Sequence, residues 1–169
     1  MAACLRFTRR VWKSFLDNKG HDVQCFPNLK QQLQIHRAVP GELEASLKIE
    51  PYNVNRVGTV HGGLILSLTD TLGSLAIATK GNYMTGVSID IGTSFLKPAG
   101  KPGDILKARA TVEAMGKTLA FTRVDFTNPA GDIVAYGQHT KFIGKSIGNK
   151  DDVKFSEDGE RVIEGTDKE

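Results

Sequence analysis

The chain has 169 residues, 40% of them hydrophobic, with 18 glycines and a net charge of +3, which leads us to expect one core-forming domain with additional ends. It holds no apolar run of about 18 residues, so a membrane-spanning helix is excluded, and it shows no RNA-binding aromatic signature or helix-turn-helix pattern, so nucleic acid is not an expected partner. Residues 150–169 carry eight acids against four bases, which leaves about +7 on the rest, a balance that suits a phosphate-bearing ligand and equally suits ordinary surface lysines. Cys4 and Cys25 have neither metal-site nor redox spacing, which fits free thiols in a reducing compartment.

In chain order, residues 1–16 contain Arg6, Arg9, Arg10 and Lys13 and no acid, while Leu5, Trp12, Phe15 and Leu16 fall roughly on one helical face. This composition fits a mitochondrial presequence and also a helix that docks on the domain. The expected compartment is accordingly cytoplasmic or mitochondrial. A helix is expected over 11–17, ended by Asn18-Lys19-Gly20, then a loop over 20–27. Residues 33–39 alternate weakly before the Pro40-Gly41 turn. Leu43, Ala45, Leu47 and Ile49 then alternate with Glu42, Glu44, Ser46, Lys48 and Glu50, which predicts a half-buried strand and a hairpin. Residues 64–79 place leucine, isoleucine and alanine on nearly every helical face, so this helix is expected to be buried. Gly73 and Ser74 are small enough to let a sheet approach it.

Four strand-like segments follow, over 86–96, 105–115, 119–128 and 133–143. Their apolar residues include Val87, Ile89 and Ile91, then Leu106, Ala108, Ala110 and Val112, then Phe121, Val124 and Phe126, then Val134, Tyr136 and Phe142. Turn chemistry separates them at 97–103, 116–117 and 128–132, and no helix intervenes, so antiparallel pairing is expected. After about residue 145 the pattern stops, and 150–169 is charged and poor in aromatics, which predicts a disordered tail. The expected architecture is α+β, a long buried helix wrapped by an antiparallel sheet over 28–146. Segment 1–27 and an acidic tail at 147–169 flank it.

The chemistry concentrates in Asn55-Arg56-Val57-Gly58-Thr59-Val60-His61-Gly62-Gly63 and in Asp70 of the helix that follows. Glycines at a helix start leave N–H groups open to an oxygen atom, and the helix dipole favours negative charge there. A carboxylate among leucines is costly unless it is paired or working. Taken singly, Asn55, His61, Asp70 and Ser88 are ordinary residues. Together, Asn-x5-His-Gly-Gly-x6-Asp, with Gly86-Val87-Ser88 following, resembles the hotdog-fold acyl-CoA thioesterases. The likeness is to the group containing thioesterase superfamily member 2 (acyl-CoA thioesterase 13) and the bacterial phenylacetate-pathway thioesterases. Gly116-Lys117-Thr118-Leu119-Ala120-Phe121-Thr122, Val124-Asp125 and Gly137-Gln138-His139-Thr140-Lys141 agree with that pattern, which spans about residues 33–144.

The resemblance implies a hotdog fold and hydrolysis of acyl-CoA, with medium to long chains favoured, to free acid and CoA. It implies that the Gly62 N–H stabilises the oxyanion and that Asp70 is general base or nucleophile. Ser88 would help hold the attacking water, Asn55 would orient the thioester or water, and His61 would assist the substrate or leaving thiolate. For the coenzyme, Lys117 in the Gly116-Lys117-Thr118 turn is the first candidate, with Lys97, Lys101 and Lys141 behind it. Gly86 and Phe95 are expected beside the substrate, Phe95 as a wall for the acyl chain. No cofactor beyond the substrate's own coenzyme A and no metal is implied.

Helix geometry adds a constraint of its own. Gly62 and Asp70 are separated by about 12 Å along one helix axis, whereas a reacting carbonyl must lie within about 3 Å of its donor and its base or water. Two antiparallel copies of the helix satisfy this, so two shared sites at a homodimer interface, possibly within a tetramer, are expected. A hotdog dehydratase and a non-catalytic acyl-CoA-binding protein are the competing readings.

Overall fold

The computed structural model describes residues 1–17 and 32–166. The expected loop over 20–27 and Cys25 lie outside the described residues. Helix α1 spans Ala3–Asp17 and buries Ala3, Cys4, Phe7, Thr8, Val11 and Trp12, positions three or four apart and therefore on one face. It begins eight residues before the predicted start because Ala3, Cys4 and Thr8, weak in hydropathy, complete the buried stripe. Leu5, Phe15 and Leu16 pack half-buried on the core. Arg10 stacks its guanidinium over Phe7 and Tyr83 at 5.0 and 5.2 Å, so part of the basic character is spent on packing.

Six strands form one antiparallel sheet: β1 (Leu33–Val39), β2 (Glu42–Lys48), β3 (Val87–Phe95), β4 (Ile105–Met115), β5 (Leu119–Thr127) and β6 (Ile133–Phe142). Their spatial order is β1-β2-β4-β5-β6-β3. The predicted hairpins β1–β2, β4–β5 and β5–β6 are present. β3 crosses over to pair with β6 and so ends at one edge of the sheet. A short 3₁₀ turn at Pro51–Asn53 leads into the long helix α2, Gly62–Ala78.

The sheet curls around α2, which buries Leu64, Ile65, Leu68, Leu72, Leu75 and Ile77; each such side chain contributes roughly 1.5–3 kcal/mol. Small residues set the distance between layers. A Cβ added to Gly73 would meet Thr122 Oγ1 at 2.7 Å and His139 Nδ1 at 2.9 Å, and one added to Gly137 would meet Thr69 Cγ2 at 2.2 Å. The burial of α2 is not complete on every side, because Leu66 and Asp70, one turn apart, are exposed. The exposed stripe runs beside β3, where Val87 is 62%, Ile89 58% and Phe95 57% exposed.

The acidic end departs from the expectation of a disordered tail. Lys154–Phe155 and Val162–Glu164 form a small antiparallel hairpin, β7–β8. The Val153 N–H donates to Gly81 O, and the Ala3 and Cys4 N–H groups donate to Glu160 O and Gly159 O. Val153 is buried, and Phe155 meets Phe7 edge to face at 5.6 Å. Two apolar anchors and a few backbone bonds fix this segment onto α1 despite its charged composition.

Candidate functional site

The helix start is built first. His61 caps α2: its Nδ1 accepts from the Gly63 N–H at 2.9 Å, while its O accepts from Leu64 and Ile65. Among the described residues the Gly62 N–H has no hydrogen-bond acceptor, and it stands at the positive end of the helix. The loop before it is tied by Asn55, whose Oδ1 accepts from the Val57 and Thr59 N–H groups at 3.0 and 3.4 Å and whose Nδ2 donates to Thr59 Oγ1 at 3.2 Å. Gly58, at a φ of 81°, makes the turn that these bonds close. Asn55, Gly62, Phe95 and Lys97 line one cleft of about 430 Å³. Phe95 is close enough that a Cβ on Gly62 would lie 3.2 Å from its ring.

Two turns along the helix a second constellation surrounds Asp70, whose side chain is 53% exposed. Ser74 Oγ stands 3.5 Å from Asp70 Oδ1, and the Lys141 Nζ donates to Ser74 Oγ at 2.5 Å. His139 Nε2 lies 2.8 Å from Ser88 Oγ and 3.7 Å from Asp70 Oδ1. Asp70, Ser74, Gly86, Ser88 and Lys141 share a cleft of about 450 Å³, which Trp12, Ser14 and Phe15 of α1 also line. Gly86 is required by backbone, with a φ of 78° and Phe142 O only 2.3 Å from where a Cβ would sit.

The electrostatics keep His139 neutral. Burial lowers its pKa from 6.5 to about 4, and the Lys141 ammonium pushes the same way, against the opposing pull of Asp70 and Asp90. A neutral imidazole can either accept the Ser88 hydroxyl proton at Nε2 or donate there, so it fixes Ser88 without adding charge. The Lys141 ammonium and the Asp70 carboxylate flank Ser74, which carries a hydrogen-bonded link between them.

The structure thus brings Asp70, Ser88 and Gly86 together, and separately brings Asn55, Gly62 and Phe95 together. His61 acts on its own helix terminus. Gly116, Lys117 and Thr118 form the exposed β4–β5 turn and line neither cleft. Lys101 is exposed. Lys97 pairs with Asp132 at 3.4 Å. Lys141, named as a coenzyme candidate, is a strand residue, 5% exposed, whose ammonium is turned onto Ser74. Sequence reasoning passed over His139 and Ser74 as site members. The signal available was strand parity. The core-facing positions of β6 are Ala135, Gly137, His139 and Lys141, so two ionisable groups point inward at helix α2.

Comparison with known proteins identifies the family and the fold. The family model described as Thioesterase superfamily matches residues 57–135. Human acyl-coenzyme A thioesterase 13 is 38% identical over 120 residues, covering 70% of this chain and 85% of that protein. The crystal structure of zebrafish thioesterase superfamily member 2 superposes with a TM-score of 0.71 at 32% identity, covering 83% of this chain and 98% of that one. A hypothetical thioesterase protein from Streptococcus pneumoniae, solved with coenzyme A, superposes with a TM-score of 0.66 at 25% identity over 77% of this chain and 94% of its own. The long helix inside a six-stranded antiparallel sheet is the hotdog fold of these neighbours.

Proposed function

The chain belongs to the thioesterase superfamily, and from that premise we propose that it hydrolyses acyl-CoA thioesters, releasing a free acid and CoA. The observation that carries the reading is the pairing of an unoccupied helix-terminal N–H at Gly62 with a carboxylate at Asp70, each facing its own cleft. The CoA-bound state of the Streptococcus pneumoniae neighbour supports a coenzyme ligand.

In the mechanism, the thioester oxygen accepts from the Gly62 N–H, and the helix dipole stabilises the negative charge that develops there. One such donor is worth about 10²–10³ in rate. Asp70 takes a proton from water, the water oxygen bonds to the carbonyl carbon, and the C–S bond breaks as the tetrahedral intermediate collapses. The proton passes to the leaving thiolate. Ser88, oriented by neutral His139, holds the water, and Lys141 through Ser74 keeps the Asp70 carboxylate in place. Asn55 shapes the loop that presents Gly62. Lys97, and Lys117 with Gly116 and Thr118 from a neighbouring surface, supply cationic and backbone contacts to the coenzyme.

Gly62 and Asp70 open into different clefts of one chain, which supports sites completed by a second copy. Each Gly62 then faces Asp70 of the partner subunit. The exposed apolar residues Val87, Ile89 and Phe95 on an edge strand are the surface such a homodimer would cover. Medium to long acyl chains are the favoured substrates. The direct test is trapping of free thiol from an acyl-CoA series. Asp70→Asn is expected to lower kcat by about 10²–10⁴, the range for loss of a general base, with an unchanged circular dichroism spectrum. Undiminished turnover in that variant would remove Asp70 from the mechanism.

A further inference from the structure

The cleft that holds Asp70 is also lined by α1, an element outside the residues matched by the family model. Its lining carries the polar groups Asp70, Thr71, Ser74, Thr85, Ser88 and Lys141. It also carries the large apolar side chains Trp12, Phe15, Met84 and Val87. Two polar groups beside the aromatics are already engaged: Ser14 Oγ donates to Val11 O of its own helix at 2.7 Å, and the Tyr83 N–H donates to Asp152 Oδ1 at 2.9 Å. The wall is also rigid. Trp12 and Phe15 meet edge to face at 6.3 Å, and α1 is pinned by its buried face and by the C-terminal hairpin. An amide-rich pantetheine arm laid against Trp12 and Phe15 would lose hydrogen bonds to water that these rings do not replace. A hydrocarbon chain would gain burial at roughly 0.8 kcal/mol per CH₂.

We propose that α1 is the acyl-binding wall of this site, with Trp12 and Phe15 receiving the hydrocarbon chain of the thioester whose carbonyl sits at Asp70. The inference rests on the acyl-CoA reading above and deepens it, because it makes an N-terminal helix the element that selects the acyl group. Ser14, a small residue that lines the same cleft as the two aromatics, sets the width of the passage.

Trp12 is the only tryptophan of the chain, so its emission reports on this wall alone. Asp70→Asn protein, in which turnover is slowed, is titrated with CoA, acetyl-CoA, octanoyl-CoA and palmitoyl-CoA, with binding followed in parallel by calorimetry. The Trp12 emission is expected to change with the two long acyl chains and to stay flat with CoA and acetyl-CoA. In the otherwise wild-type protein, Ser14→Phe is expected to cut kcat/KM for octanoyl- and palmitoyl-CoA by about tenfold or more, with acetyl-CoA kept within about twofold. Flat emission while palmitoyl-CoA binds, an equal response to CoA alone, or a uniform loss across chain lengths in Ser14→Phe would overturn the acyl wall. Absence of thiol release from wild-type protein with any acyl-CoA would instead overturn the hydrolytic reading. Binding of palmitoyl-CoA with a Trp12 response would then still stand for the wall.

Discussion

His139 is the residue at which the site and the stability of the fold meet. It is 1% exposed, contacts Ser88, and lies near both Asp70 and Lys141. Its pKa in the folded protein is lowered to about 4 from an ordinary 6.5, chiefly by burial. The unfolded chain therefore binds more protons between these values, and unfolding becomes easier as pH falls through that window. The stability is fully present above about pH 6.5 and is lost as pH approaches 4, a change of roughly 3 kcal/mol for a shift of this size. Urea midpoints of wild-type and His139→Gln protein, measured at neutral and mildly acidic pH, check this. The wild type is expected to lose stability more steeply than the variant. Parallel pH dependences would show that His139 does not titrate across the window. Lys141 is a positioning residue in this reading, because its ammonium bonds to Ser74, which in turn reaches Asp70.

At the scale of elements, Gly73 is the contact on which the helix–sheet spacing depends. Glycine in a helix interior costs about 1 kcal/mol relative to alanine, so Gly73→Ala would stabilise an isolated helix. Here the added Cβ would fall 2.7 Å from Thr122 Oγ1 and 2.9 Å from His139 Nδ1, closer than packed atoms tolerate. Overpacking of this kind costs about 1–3 kcal/mol, so Gly73→Ala is expected to lower the urea midpoint and to impair turnover through displacement of His139. A raised midpoint would show that the layers can separate without penalty. This contact also indicates what the sequence could and could not tell. The long apolar run of α2 and the alternation of β2 and β4 are read directly, because their periodicity follows from burial against one core. The parity of β6 is misleading, since Val134, Tyr136 and Phe142 advertise one face, of which only Val134 is fully buried, while Ala135, Gly137, His139 and Lys141 are all buried on the other. Hydropathy cannot identify an inward face made of small and ionisable residues that serve a site. The β7–β8 hairpin escapes for a related reason: its anchors, Val153 and Phe155, are two residues in a charged stretch and find their partners far back in the chain, Val153 at Gly81 and Phe155 at Phe7 of α1.

At the scale of the whole molecule, helix length is what motivates the proposed sites shared between two copies. Within one chain Gly62 and Asp70 are held about 12 Å apart by the rise of the helix, and each opens into its own cleft. A site built from Gly62 of one copy and Asp70 of the partner subunit removes the conflict, and a two-fold axis then creates two such sites. Mixing experiments follow from that symmetry. Gly62→Val places a side chain where Phe95 already leaves only 3.2 Å, which blocks the oxyanion position, and Asp70→Asn removes the base, so each homodimer is expected to be inactive. After equal amounts are unfolded together and refolded, half of the dimers are mixed. Each mixed dimer holds one site with both intact residues and one with neither. About a quarter of wild-type activity is therefore expected from the statistics of a closed two-fold dimer. Substrate affinity at the restored sites should match wild type, since those sites are chemically complete. If each chain instead housed its own complete site, every site in the mixture would carry one lesion and no activity would return. The two arrangements thus differ by a quarter of full activity against none, and size-exclusion chromatography of the refolded mixture confirms that dimers are the species assayed.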